Sequence, residues 1–368
     1  MVYNTLMNFW QRIKAEKGMI LALSPMDGVS DYPFRSISKK YGQMDLVFTE
    51  FANVEGVCLS KSTQILNHFD FDQAQRPLIA QIFGKTPKYF KQVAVLLCEM
   101  GVDGIDINMG CPAPTVSSHG SGAGLIRTPD LAREIIQSVQ DGVREWGEGL
   151  LLENCPDISS QTITALRDKK KFFALTEADR QKLPTVSVKT RIGIAQDEVE
   201  NWLPNLTQMN LAAISLHGRT LKQSYSGLSN WEVIAKAAAI VKQNSPNTIF
   251  LGNGDVFDYE QAKQKVTDHG VDGVLIGRAS FGRPFVFLPQ DKRTEFLKAH
   301  NLFAIALEHA KLYEETYGQK ERYSFLPMRK HLAWYTKGVE QAALIRSELV
   351  RSNSAAEVEE ILKKHQLI

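Results

Sequence analysis

Short apolar runs recur along the chain, separated by longer stretches in which apolar residues return every three or four positions. The runs are MILALSPM (19–26), DLVFTE (45–50), PLIAQIFG (77–84), GIDINMG (104–110), TVSVKTRIG (185–193), AAISLHGRT (212–220), TIFLGNGD (248–255) and DGVLIGRAS (272–280). They are rich in Val, Ile and Leu and mostly do not alternate with polar residues, as strands buried on both faces of a parallel sheet do not. Between them, TPKYFKQVAVLLCEMG (86–101), TPDLAREIIQSVQDGV (128–143) and DYEQAKQKVTDHG (258–270) carry helical spacing. Thr86 and Thr128, each followed by proline, predict helix N-caps. About eight strand–helix units predict an α/β fold of the TIM (β/α)8 barrel type over 19–290. A doubly wound sheet would need a glycine fingerprint directly after its first strand, and LALSPMDG has none.

Three regions stand outside this rhythm. Residues 1–18 lack a charged segment followed by an apolar core, so they predict a short helix ending at Gly18 rather than a signal peptide. Between Trp146 and Thr185 the chain is far longer than a usual helix-to-strand loop. Residues 147–183 therefore read as an insertion ending in two helices, one carrying Lys169, Lys170 and Lys171. Joining a helix to the next strand, it is expected at the N-terminal face of the barrel, away from the strand ends. After Pro284 the strand pattern stops. Helical spacing then runs through 294–318, 327–338, 339–352 and 354–366, which predicts a small all-helical domain over 295–368.

The formal charge of the 368 residues is only +2, so an acidic partner must be held by a local patch. One candidate lies between Gln319 and Arg351, where Lys320, Arg322, Arg329, Lys330, Lys337, Arg346 and Arg351 face Glu321, Glu340 and Glu348. No run approaches the ~18 apolar residues that span a membrane. Cys58, Cys98, Cys111 and Cys155 include no Cys-x-x-Cys pair and have few histidines nearby, which predicts neither a metal site nor a disulfide scaffold. Cys98 lies in a helical apolar stripe and reads as core. Free thiols fit a reducing cytoplasm.

In a TIM barrel the site forms at the C-terminal ends of the strands. The runs close in turn with Pro25-Met26-Asp27, Thr49-Glu50, Gln81, Asn108 followed by Cys111, Lys189 with Arg191, His217-Gly218-Arg219, Asn253-Gly254-Asp255 and Gly277-Arg278. Nearly every strand thus delivers a polar group to one rim. Glycines in GNGD and IGRAS let backbone N–H groups approach an anion, and Arg278 can pair with a phosphate there. Lys189, on a strand inside an apolar barrel, needs an anionic or electron-rich partner. A carboxylate such as Glu50 would serve. So would a flavin whose phosphate sits at the last two strands, with Lys189 at its N1–O2 edge and Gln81 and His217 on its other polar edges. GSGAG (120–124) reads as a flexible loop that bends over the mouth and carries Cys111 near its base, not as a dinucleotide loop, because no strand leads directly into it.

The stretches SPMDGVSDYPFR (24–35), QIFG (81–84), DINMGCPAPTV (106–116), GSGAGLI (120–126), VSVKTRIG (186–193), ISLHGRT (214–220), LGNGD (251–255), GVDGVLIGRASFGRPFVF (270–287) and MRKHLAWYTKG (328–338) together resemble the tRNA-dihydrouridine synthases. These are FMN-dependent enzymes that reduce uridines in tRNA. The resemblance implies that Pro25, Met26 and Asp27 line the flavin, largely through backbone. It implies that Gln81, Lys189 and His217 lie at its ring and that Asn253, Gly254, Asp255, Gly277 and Arg278 hold its phosphate. Asp27 stands where the family often has a small residue, which a backbone contact tolerates. Cys111 is implied as the acid that protonates C5 of the uracil after hydride reaches C6 from the flavin N5. Asn108 and Arg219 are expected near the base. Arg329, Lys330 and Lys337, with Trp334 and Tyr335, are expected to dock the tRNA. The resemblance also implies NADPH as reductant, docking over the same flavin, since no Rossmann segment is present. A monomer is expected. Two further readings remain: a small-molecule FMN oxidoreductase of the dihydroorotate dehydrogenase type, and a tRNA-binding barrel without chemistry.

Overall fold

The structure is a computed structural model that describes residues 7–60, 62–117, 120–173, 182–320 and 323–368. The runs become β1 (Ile20–Leu23), β2 (Leu46–Asn53), β3 (Leu78–Phe83), β4 (Gly104–Met109), β5 (Thr185–Arg191), β6 (Ala213–His217), β7 (Ile249–Asn253) and β8 (Gly273–Ile276). All neighbours pair in parallel in sequence order, and β1 pairs with β8, so the sheet closes into the expected barrel. Side chains including Ala22, Phe48, Ile79 and Leu251 fill its interior together with Trp10. Trp10 comes from the helix Phe9–Lys17, which starts with a capping box on Asn8 and ends at Gly18 with φ 77°. Its indole N–H donates to Thr185 Oγ1 at 3.0 Å, so the N-terminal helix plugs one end of the barrel.

Several boundaries differ from the sequence expectation. β2 continues past Glu50 to Asn53, because a register shift against β3 between Phe48 and Phe51 lets pairing resume. Thr86 and Thr128 do occupy N-cap positions, yet neither side chain makes a capping bond. The N–H of Thr86 instead donates to the Glu55 carboxylate at 3.0 Å. The stretch 294–318 is two helices, Gln290–Ala299 and Leu302–Tyr317, and the helical region starts at Gln290. The break falls at Asn301, whose side chain accepts from the N–H groups of Phe303 and Ala304.

The insertion does not stay at the N-terminal face. Helix Pro129–Gly147 extends the 128–143 pattern, and the chain then climbs the flank of the barrel. Leu152, Cys155 and Ile158 are buried there. Asp157 accepts from Lys88 and Gln92, at 3.2 and 2.7 Å, near the start of helix Pro87–Met100, which follows β3. Helix Ser160–Phe173, which holds the three lysines, continues to the 3-10 helix Thr63–Phe69 that follows β2. Apolar positions of Pro87–Met100 and Thr63–Phe69 bury Leu152, Cys155 and Ile158 there in one cluster, while the N-terminal end of the barrel is already filled by Trp10. The second helix expected in the insertion lies outside the described residues.

The C-terminal helices Leu326–Tyr335, Ala342–Leu349 and Ala355–Lys364 complete the chain. They share one continuous apolar core with the outer layer of the barrel. Phe34 of helix Tyr32–Gly42 meets His309 and His331, and Phe281 after β8 stacks on Trp334 at 3.9 Å between ring centroids.

Candidate active site

A cavity of about 1450 Å³ opens at the C-terminal ends of the strands. It collects Pro25, Met26, Asp27, Gln81, Asn108, Cys111, Lys189, His217, Arg219, Asn253, Gly254, Asp255, Gly277 and Arg278, as the strand ends predicted. One wall comes from the helical region, through Ala333, Trp334, Lys337 and Arg346.

Cys111 follows β4 and is partly exposed to this cavity, whereas Cys58, Cys98 and Cys155 are buried. Its backbone is fixed from below. Asn108 Oδ1 accepts from the N–H groups of Cys111 and Gly110 at 2.8 and 3.0 Å. Asn108 Nδ2 donates to Gln81 Oε1 at 3.0 Å, and Gln81 Nε2 donates to Asp106 Oδ2 at 2.7 Å. Ser187 donates to the other oxygen of Asp106 at 2.6 Å. The barrel register sets these partners side by side, Gln81 opposite Asp106 and Asp106 opposite Ser187. Burial pushes the Cys111 thiol above its ordinary pKa, and Asp27 adds to the effect. The thiol is therefore protonated at neutral pH and able to act as an acid.

The GSGAG segment does not bend over the mouth. Residues 122–124 lie in a buried 3-10 helix, Gly122–Arg127, behind Cys111. Ala123 N–H donates to the Cys111 carbonyl at 3.2 Å. A Cβ on Gly124 would come within 2.5 Å of the Ser117 carbonyl oxygen. Glycine serves close packing here, not mobility.

Lys189 faces the cavity and makes no hydrogen bond to another described residue. Burial, reinforced by Arg191, pulls its ammonium down to about 8. The Lys189–Glu50 pair considered from sequence does not form; Glu50 instead meets His68 at 3.5 Å. His217 is held neutral, by burial first and by Lys189, Arg191 and Arg219 around it. Its Nε2 lies 3.1 Å from Arg219 Nη1, a donor, so Nε2 accepts and the proton sits on Nδ1.

At β7 and β8 the turn is tight. Gly254 has φ 121°, and a Cβ there would fall 2.0 Å from Ser229 Oγ. Asp255 follows with φ 52°. The N–H groups of Gly254, Asp255, Gly277 and Arg278 donate to no other described residue, which leaves them for an anion. Arg278 lies beside them, 56% exposed, with one nitrogen 3.2 Å from Asp255. Burial would raise the Asp255 carboxyl, but Arg219, the Ser229 N–H and Arg278 outweigh it and hold it below the usual carboxylate range.

Other expectations are redirected. Arg219 is 2% exposed, and its guanidinium is taken by Asp255, Ser229 Oγ and the Gly227 carbonyl, so it pins the loops after β6 and β7 instead of facing a substrate. Arg329 lies outside the cavity and donates to the carbonyls of Ser352 and Arg351 and to Asn353 Oδ1, at 2.9, 3.1 and 2.6 Å. Lys330 binds the Gly28 carbonyl, tying the helical region to the loop of Met26 and Asp27. Lys337 is exposed and lines the cavity wall. Trp334 lines the cavity, but Tyr335 is core. Sequence reasoning gave no role to Asp106, Tyr225 or Phe281. Arg191 was seen only as a strand-end group. It donates to the carbonyls of Gly110, Thr220 and Ser224 and so joins the Cys111 loop to the loop after β6. Tyr225, 61% exposed at the mouth, lies near both Arg191 and Arg278. Its signal was the aromatic in a polar Lys222–Gly227 loop.

No group of three or more metal-binding side chains occurs among the described residues, and no described helix is long and apolar enough to cross a membrane. A family profile described as dihydrouridine synthase (Dus) matches residues 21–145 and 151–367. A probable tRNA-dihydrouridine synthase of Staphylococcus epidermidis is 30% identical over 357 residues, covering 96% of this chain and 95% of that protein. One of Staphylococcus aureus is 30% identical over 361 residues, covering 98% and 96%. A probable tRNA-dihydrouridine synthase 2 of Bacillus subtilis is 29% identical over 357 residues, covering 96% and 95%. Among solved structures, DHODH from Eimeria tenella in complex with ferulenol is 13% identical with a TM-score of 0.41, over 63% of this chain and 62% of that one.

Proposed function

The chain belongs to the dihydrouridine synthase family, and from that premise we propose that it reduces the C5=C6 bond of uridines in tRNA, with FMN as bound cofactor and NADPH as reductant. The observation that carries this reading is one cavity in which a protonated thiol, an ammonium without a hydrogen bond and a set of N–H groups without an acceptor, among the described residues, converge. Its volume of about 1450 Å³ exceeds the ~300–1,000 Å³ that holds a drug-sized ligand, which suits a flavin and an extruded base together.

The residues fit the cofactor by their chemistry. The free N–H groups after β7 and β8, with Arg278, would hold its phosphate. Lys189 would gain the hydrogen-bond acceptor that no described residue gives it, and His217 offers the N–H of its other ring nitrogen. When bound and reduced, the flavin supplies the hydride for C6 of the base. Cys111 gives its proton to C5, and burial keeps that proton on the sulfur until the base arrives. Asn108 holds the Cys111 backbone and leaves one N–H of its amide free for the base. The Trp334 wall, with Lys337 and Arg346, contacts the tRNA beside the extruded uridine, whose unstacking costs a few kcal/mol that such contacts offset. A barrel acting on a small molecule has no use for that wall.

The test is direct. Purified protein is expected to be yellow, to oxidise NADPH and to form dihydrouridine in unmodified tRNA. Colourless protein that leaves uridine intact when FMN and NADPH are supplied would contradict the reading.

A further inference from the structure

Asp106 is fully buried beneath the cavity and lines no part of it. A buried carboxylate is costly unless it is paired, and the hydrogen-bonded partners of Asp106 are Ser187 and Gln81. Burial raises its carboxyl to about 6, offset in part by these two bonds and by Lys189, and both of its oxygens accept a hydrogen bond, the arrangement of an ionised carboxylate.

An ionised carboxylate only accepts hydrogen bonds. That fixes the sense of everything above it. Gln81 must turn its NH2 toward Asp106, so its carbonyl oxygen faces Asn108. Asn108 must then turn its NH2 toward Gln81, so its own oxygen faces the N–H groups of Gly110 and Cys111. Without the carboxylate both amides can rotate. A rotated Asn108 would present a donor to two donors and release the Cys111 backbone.

We propose that Asp106 is a positioning residue for the reduction, which sets the polarity of the Gln81–Asn108 amide relay and thereby aims the Cys111 thiol. The inference rests on the reading of Cys111 as proton donor, but the relay itself can be measured without turnover.

The experiment is a double-mutant cycle between Asp106→Ala and Asn108→Ala, read in two ways. The first is the rate of Cys111 alkylation by iodoacetamide in the full-length protein, where the other three thiols are buried. The second is the single-turnover rate of tRNA reduction at saturating tRNA. Each single variant is expected to change both rates by about tenfold or more, alkylation upward and reduction downward, with the double variant no further changed than Asn108→Ala alone. Multiplying effects, or an Asp106 variant with wild-type rates, overturns the proposal. Should Asp106→Ala fail to fold, Asp106→Asn keeps the shape but can offer a donor to Gln81, and it carries the same cycle. A coupled alkylation cycle in protein that never reduces tRNA would spare the relay and reject the assigned function instead.

Discussion

Cys111 and Lys189 sit in the same cavity but are tuned in opposite senses. Burial holds the thiol in its acid form, which the proposed reaction needs, and burdens the ammonium, which has no hydrogen-bond partner among the described residues and the field of the Asp106 carboxylate to offset part of that cost. The two states of Lys189 predict a trade between stability and binding. Its pKa is about 8 in the folded chain against an ordinary 10.5, so between those values the unfolded chain binds more protons. This group therefore adds stability to the cofactor-free protein as pH rises from about 8 to 10.5. Lys189→Met should raise the melting temperature of the cofactor-free protein at neutral pH, remove that pH slope and weaken flavin binding. Calorimetry and flavin titration across that range check all three. At this scale the sequence marked polar residues at strand ends, and the cavity gathers them. It could not tell a ligand contact from an internal pairing. Arg219 and Arg329 look alike in sequence to Arg278 and Lys337, and only the fold shows that Asp255 and the Ser352 carbonyl occupy them.

The turn after β7 shows the same economy at the level of an element. Its backbone must pass through left-handed geometry beside Ser229, and only glycine at 254 avoids the Ser229 hydroxyl. Gly254→Ala should therefore disorder the edge proposed to hold the phosphate and weaken FMN binding by tenfold or more, at least about 1.4 kcal/mol. Equilibrium dialysis against FMN measures it, and unchanged affinity would remove the anion site from this turn. Strands and most helices were legible because their burial is written in the spacing of Val, Ile and Leu. The path of the insertion was not, because it depends on which outer face of Pro87–Met100 lies bare. The packing of 122–124 was hidden too, since glycine spells both mobility and close approach.

Across the whole molecule, barrel and helical region act as one body around the cavity. Phe281 stacks on Trp334, Lys330 reaches the Gly28 carbonyl, and one apolar core runs through both. This separates two kinds of cation in the helical region. Lys337→Ala or Arg346→Ala should weaken tRNA binding and lower the slope of log affinity against log salt by about one each. Arg329→Ala should cost about 1 kcal/mol of stability and leave that slope unchanged. Filter binding across a salt series, beside thermal melts, distinguishes them. The basic character of this region was legible, but the split between cations taken by internal partners and cations facing the cavity needed the fold.

The central claim is that the Cys111 thiol supplies the proton to the reduced base. Its most direct measurement is single-turnover reduction of unmodified tRNA by flavin-reduced protein, wild type against Cys111→Ala. The rate should fall by about 10²–10⁴-fold in the variant while its flavin content and NADPH oxidation persist. Wild-type reduction by Cys111→Ala would contradict the account.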